Sequence, residues 1–254
     1  MNCARHQEIS VMGIAGIPEI MRGDDLGHII SNAIKHHSLS LSANDILVVA
    51  QKVVSKAEGK TVRLDDIRPS TMAIEWARAY GKDPRVVEAA LNESIRIVRM
   101  DRGVLISETR HGFVCANAGV DTSNVEDGYI TLLPDDPDGS AQRLRQSLKH
   151  EMGSDIAVIV SDTFGRPWRE GLVNVALGVA GLEPLIDLRG KPDWKGQPLK
   201  VTVMAVADEL ASAAELVMAK AAGLPAALIR GYPYQRGESS ARSLIRAPEA
   251  DLFR

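Results

Sequence analysis

The chain has 254 residues, with 30 Lys and Arg against 33 Asp and Glu, a net charge of −3, and apolar and charged fractions of 45% and 25%. That is enough for the core of one large domain or two intimate ones, in the ordinary range of soluble globular proteins. Scattered basic residues exclude a nucleic-acid footprint, and no apolar run reaches the roughly eighteen residues of a membrane span. The two cysteines, Cys3 and Cys115, stand far apart, which excludes a disulfide scaffold or a cysteine zinc cluster and suits a reducing compartment. The N-terminus, Met-Asn-Cys-Ala-Arg-His-Gln-Glu, lacks a signal-peptide core. The expectation is a soluble cytoplasmic protein.

In chain order, residues 11–14 read as a short strand leading into the turn Gly16-Ile17-Pro18-Glu19-Ile20. Asp24 is expected to cap a helix whose Leu26, Ile29, Ile30, Ala33 and Ile34 follow the helical period. Residues 46–50 form a buried strand that runs into the basic segment 51–59. Pro69 and Ser70 start a helix ended by Gly81, and Pro84 begins another to about Asn92. Strands are expected at 95–98, 104–106 and 129–133, and an amphipathic helix at 140–152. The uninterrupted run 156–160 reads as a strand buried on both faces, with 161–171 as the loop at its carboxyl end. Residues 172–180 read as a small-residue helix, 201–206 as a strand, and Asp208 as the cap of a helix through Ala222, stopped by Gly223 and Pro225. A last strand at 226–229 precedes a polar tail from 231 to 254 with little periodicity. Helices and strands without strict βαβ alternation point to an α+β, or mixed α/β, fold.

Several familiar sites are absent. Gly59-Lys60-Thr61 lacks the upstream glycine of a P-loop, and no dinucleotide fingerprint, H-E-x-x-H motif or nucleophile elbow occurs. The six histidines do not cluster at zinc spacing. His36 and His37 read as solvated, whereas His111 stands open between a structural hydrogen bond and a substrate contact. What remains is a set of hard oxygens and cations on loops: Asp121, Asn124, Asp162 and Thr163, with Lys52, Lys56, Arg110, Arg166 and Arg169. Carboxylates with hydroxyls and amides suit Mg²⁺ or Mn²⁺, and Lys and Arg suit phosphate or carboxylate. Metal-assisted chemistry on a phosphorylated substrate or nucleotide then stands beside a plainer reading, a charged strand-end turn with solvated arginines.

Six ordered blocks carry a resemblance. They are Gly16-Ile17-Pro18-Glu19, residues 54–59, residues 117–124, residues 161–169, Ala207-Asp208-Glu209-Leu210-Ala211 and Leu228-Ile229-Arg230-Gly231. Together they resemble the coenzyme F420-0:L-glutamate ligases, in the stand-alone form without a fused second domain. The resemblance implies a single ligase domain over 1–254 with a polar tail at about 232–254, and an intertwined homodimer. It also implies a GTP-dependent ligase that adds L-glutamate to the lactyl-phosphate side chain of the deazaflavin F420-0, with γ-linked later additions.

Carried over residue by residue, Ile17, Pro18, Glu19 and Ile20 match a nucleotide-contacting turn, and Gln51, Lys52 and Lys56 a second nucleotide segment. Asp121, Asp162 and Thr163 match ligands of Mg²⁺ or Mn²⁺, with K⁺ as a further ion, and Asn124 matches a nucleotide contact. Asp121 and Asp162 would thereby be the catalytic pair. Arg110, His111, Arg166 and Arg169 are the candidates for acidic substrate groups. Part of the family carries a glycine and then an amide or acid where this chain reads Ala219-Lys220, and a protonated lysine cannot ligate a second metal. The other readings are a metal-dependent ligase or phosphoryl-transfer enzyme on a different acidic metabolite, and a nucleotide-binding module without turnover.

Overall fold

The computed structural model describes residues 7–220 and 222–251; Cys3, the first six residues of the N-terminal segment, Ala221 and the end of the tail lie outside them. The chain opens with strand β1 (Ser10–Gly13) and helix α1 (Leu26–His36), whose N-cap is Asp25 rather than Asp24, its carboxylate accepting the His28 amide at 3.0 Å. Strand β2 (Ile46–Ala50) passes without a loop into α2 (Gln51–Ala57), and the short β3 (Thr61–Arg63) follows. Helix α3 (Thr71–Tyr80) starts at the expected Ser70 cap and ends at Gly81, and α4 (Pro84–Asn92) has proline at its first position. Strands β4 (Ser94–Asp101), β5 (Val104–Thr109), β6 (Val114–Ala116) and β7 (Tyr129–Thr131) come next, then α5 (Pro137–Met152). The remaining elements are β8 (Ala157–Arg166), β9 (Arg169–Ala180), β10 (Ile186–Asp187), β11 (Val203–Met204), α6 (Val206–Met218) and β12 (Ala226–Arg230).

A five-stranded mixed sheet, in the order β1-β12-β2-β8-β9, forms the centre; β2 and β8 run parallel and the other pairs antiparallel. The alternation of a strand divides its side chains between two cores. Leu47, Val49, Val158, Val160 and Leu228 pack under α1 and α5, while Ile46, Val48, Ile159, Ala227 and Ile229 pack under α6. Both faces are covered, which is why 46–49 and 157–160 can be apolar at every position. Between β2 and β8 the chain builds a second unit from α3, α4, the β4-β5-β6 sheet and the β3-β7 pair, with Leu64, Leu105, Val120 and Ile130 at its centre. The fold is α+β with mixed sheets, as the residue pattern predicts.

Four more expectations need correction. Residues 172–180 are strand, not helix: Val173, Val175, Leu177 and Val179 alternate with Asn174, Ala176, Gly178 and Ala180, a period of two that serves the β8 partner strand. Residues 161–166 are correspondingly strand rather than loop, and only Pro167 and Trp168 turn the hairpin. Of 201–206 only Val203–Met204 is extended, because Val206 already begins α6. Asp208 does not cap α6; it sits in the first turn and accepts the Ala176 amide at 2.9 Å, tying the helix to β9, and the helix ends at Met218.

The tail after β12 is pinned down despite its lack of periodicity. The Asp138 carboxylate accepts from the Ala241 amide at 3.0 Å and the Ser240 hydroxyl at 2.5 Å, and also from the Val179 amide at 2.8 Å. This crossing of α5 and β9 leaves no room at Gly178, where a Cβ would stand 2.2 Å from the Pro137 carbonyl. Backbone cannot yield as a side chain does, so Gly178→Ala should destabilise the protein by about 1–3 kcal/mol. A urea midpoint unchanged from wild type would show that the two elements are not locked together.

Candidate functional site

One cavity of about 430 Å³ opens where β2 finishes alongside the middle of β8. This is the size expected of a small-molecule site, and the carboxyl ends of parallel strands are where open α/β sheets bind ligands. Ala50 pairs with Ser161 in the parallel register. Gln51 and Lys52, which leave β2, therefore emerge next to Asp162 and Thr163, which continue β8 beyond its pairing with β2. The turn Ile17-Pro18-Glu19-Ile20, the segment around Asp121, Ser123 and Asn124, and the C-terminal end of α6 complete the lining.

The second unit delivers Asp121. Its backbone pairs with Thr131 in both directions, at 3.1 and 2.9 Å, which fixes the loop against β7. Its carboxylate accepts the Ser123 amide at 2.7 Å and meets the Lys52 ammonium at 2.7 Å. Lys52 also donates to the Ser123 carbonyl at 2.6 Å and hydroxyl at 2.7 Å. Burial works against the charge on Asp121, yet the Lys52 and Ser123 hydrogen bonds outweigh it and hold the carboxyl below its ordinary range. Lys56 donates to the Asn124 carbonyl at 2.6 Å and pairs with Glu19, joining the first turn, α2 and the Asn124 loop. Gln51 lies in the lining too, but its side chain is committed to the fold, donating to Ser55 Oγ at 2.7 Å and to the Leu132 carbonyl at 3.1 Å.

Asp162 is in the opposite electrostatic condition. Burial pushes its carboxyl up to about 6; the negative charge of Asp121 adds to the shift, while the Thr163 amide, Lys220 and Lys52 oppose it. Two carboxylates that feel each other across a cavity favour a cation between them. Around them stand the Thr163 hydroxyl and the Ser161 hydroxyl, which is 1% exposed and has no hydrogen-bond partner among the described residues. Among the described residues no three His, Cys, Asp or Glu side chains form a metal site by themselves. Two carboxylates with hydroxyls nonetheless fit Mg²⁺ or Mn²⁺, which take few protein ligands and fill their shell with water and phosphate. Lys220 follows Ala219, which holds φ at +36° just after α6, and lies exposed at the rim.

Of the residues singled out from sequence, Ile17, Pro18, Glu19, Ile20, Gln51, Lys52, Lys56, Asp121, Asn124, Asp162 and Thr163 all line this cavity. Arg110, His111, Arg166 and Arg169 do not. Arg110 donates to the Asn92 carbonyl at 3.0 Å, and Arg166 to the Glu170 carbonyl at 2.6 Å within its hairpin. Arg169 is exposed at the start of β9. His111 makes the structural hydrogen bond, Nε2 to the Pro134 carbonyl at 2.8 Å, and stacks on Phe113. Two residues of the lining escape the sequence reading, Asn174 and Glu215. Asn174 is visible as a polar break in an apolar run, but a helical reading of 172–180 turns it away from Thr163.

A family model described as F420-0:Gamma-glutamyl ligase matches residues 15–231. The chain is 50% identical over 249 residues to the coenzyme F420:L-glutamate ligase of Methanothermobacter thermautotrophicus, covering 97% of this chain and 99% of that protein. It is 48% identical over 241 residues to the enzyme of that name from Methanopyrus kandleri, covering 93% and 94%, and 42% identical over 249 residues to that of Methanocaldococcus jannaschii, covering 98% of each.

The site also sets the chemistry of Cys115. Burial, with the charge of Asp162 adding to it, pushes the thiol up to about 12. Because the thiolate is the nucleophile, Cys115 should resist iodoacetamide at pH 8 in the native protein and label after unfolding. Rapid native labelling of its peptide, read by mass spectrometry, would contradict this burial.

Proposed function

The chain belongs to the F420-0:gamma-glutamyl ligase family, and we propose that it joins L-glutamate to coenzyme F420-0 at the expense of GTP, with γ-linked additions thereafter. One observation carries this reading to the residues: a single cavity gathers Glu19, Lys52, Lys56, Asp121, Asn124, Asp162 and Thr163 from separate stretches of chain. The γ-phosphoryl group of GTP passes to a carboxylate of the coenzyme, giving an acyl phosphate and GDP; the glutamate amine then attacks the activated carbonyl and phosphate leaves. Asp121, Asp162 and Thr163 are the residues that would hold a divalent metal, Mg²⁺ or Mn²⁺, and the ion would supply neutralisation of phosphoryl charge there.

The protein's own part is positioning and electrostatics. The turn 17–20 and Asn124 shape the nucleotide side of the cavity. Lys52 and Lys56, now occupied by Asp121, Glu19 and loop carbonyls, are the cations available to the phosphates. Arg110, Arg166 and Arg169, outside the cavity, are reserved for the acidic reach of the deazaflavin substrate. A homodimer, K⁺ as a further ion and a cytoplasmic location belong to the same reading. For the location, no helix among the described residues is long and apolar enough to cross a membrane.

Incubation with GTP, Mg²⁺ or Mn²⁺, glutamate and F420-0 should yield glutamyl adducts by mass spectrometry, with GTP consumption dependent on both acceptors. Well-folded protein that forms no adduct would overturn the reading. Asp162→Ala should remove most turnover, by about 10²-fold or more as for a lost electrostatic stabiliser, while the melting temperature stays close to wild type. Near-normal kcat would sink the ligand assignment. Lys56→Ala should chiefly weaken nucleotide binding, so unchanged GTP affinity by calorimetry would count against its role.

A further inference from the structure

The hairpin register places Thr163 directly opposite Asn174, with Glu215 of α6 above them. Thr163 Oγ1 donates to Asn174 Oδ1 at 2.7 Å, and Asn174 Nδ2 donates to Glu215 Oε2 at 3.0 Å. The backbone of Asn174 is held as well, its carbonyl accepting the Ser212 hydroxyl at 2.7 Å. Asn174 is 4% exposed, so its amide has little water to turn towards. The local path is unusual: a β-bulge between Val160 and Ser161 precedes this pair, and bulges re-aim side chains beside sites.

The chemistry of the three groups allows one direction only. A carboxylate accepts and does not donate, so Glu215 requires the NH₂ end of the Asn174 amide. That leaves the carbonyl end facing Thr163, and a carbonyl also only accepts. The Thr163 hydroxyl must therefore spend its single proton on Asn174, and its lone pairs remain for whatever lies in the cavity. Both ends of the chain, Thr163 and Glu215, line that cavity. A hydroxyl free to rotate would present its proton to a cation part of the time; this one is held with its oxygen forward.

We propose that Glu215 and Asn174 are positioning residues that lock the Thr163 hydroxyl as a donor away from the cavity, so that its oxygen is presented to a hard divalent cation. This rests on the reading of Thr163 as a cation contact. Outer partners of a metal ligand act through orientation, and their loss typically lowers metal affinity by about 10–100-fold. The swap Glu215→Gln removes the constraint at constant shape, because a glutamine amide can meet Asn174 in either sense. Adding Asn174→Asp restores it with the starting net charge, because the carboxylate introduced there accepts from both the new glutamine amide and the Thr163 hydroxyl.

The test is Mn²⁺ binding, counted by the loss of the free-ion electron paramagnetic resonance signal, with and without GDP, alongside the melting temperature. Glu215→Gln should weaken Mn²⁺ binding about 10-fold at a melting temperature near wild type. The Glu215→Gln/Asn174→Asp variant should recover most of that affinity, and the recovery should vanish when Thr163→Val is added. Wild-type affinity in Glu215→Gln, or a recovery that survives Thr163→Val, would overturn the relay. Mn²⁺ binding by the wild type that Thr163→Val weakens, with Glu215→Gln unaffected, would sink the relay alone. A wild-type protein that binds no Mn²⁺ in either condition would sink the cation reading on which it stands.

Discussion

The parallel pairing of β2 with β8 is the constraint from which the site follows. Strands distant in sequence, Ile46–Ala50 and Ala157–Arg166, lie in a register that brings Ala50 level with Ser161. A lysine-bearing helix leaving β2 then stands level with two hydroxyls and a carboxylate on the stretch of β8 that runs on beyond it. The apolar residues on both faces of these strands hold the register, since slippage by one position would exchange the two cores. The segment between the two strands returns from its own small core to lay the Asp121 loop across the mouth.

Charge in the cavity is balanced by local pairing. Lys52 holds Asp121, and Lys56 holds Glu19, so each of these ammonium groups already has a carboxylate partner. An incoming anion therefore has to compete for lysines already engaged, and a divalent cation has to relieve Lys52 of its hold on Asp121. The proposed binding of nucleotide and metal together would do both at once. On the proposed function Lys52 and Lys56 would turn to phosphate and the carboxylates to the metal, so that neither set would be left buried without a partner. Asp162, whose carboxyl burial raises to about 6, would gain from a cation beside it.

The buried strands 46–50 and 156–160 are legible in the sequence because burial on both faces leaves an unbroken apolar run, and the α3 and α4 boundaries because Ser70, Gly81 and Pro84 are chemical punctuation. The lining residues are legible as types, carboxylate, hydroxyl and lysine at strand ends, and the family resemblance supplies their grouping. The stretch 172–180 is not, because small residues are shared by close-packed helices and by strands crossed at short range. Gly178 under Pro137 is the second case, a tertiary contact that local propensity cannot foresee. That one misassignment conceals the Thr163–Asn174–Glu215 chain, since only a strand puts Asn174 opposite Thr163. Arg166 and Arg169 are close in sequence to Asp162, but an extended hairpin carries them away from it along the strand axis.

On the proposed function, this cavity would activate a coenzyme carboxylate as an acyl phosphate before the amine arrives. The most direct measurement is isotope transfer, with F420-0 labelled with oxygen-18 in the acceptor carboxylate and the released inorganic phosphate examined by mass spectrometry. Activation through an acyl phosphate leaves one labelled oxygen in the phosphate released by the first glutamate addition, the step in which the acceptor carboxylate is that of F420-0 itself. Glutamyl product formed with phosphate that carries no label would contradict it.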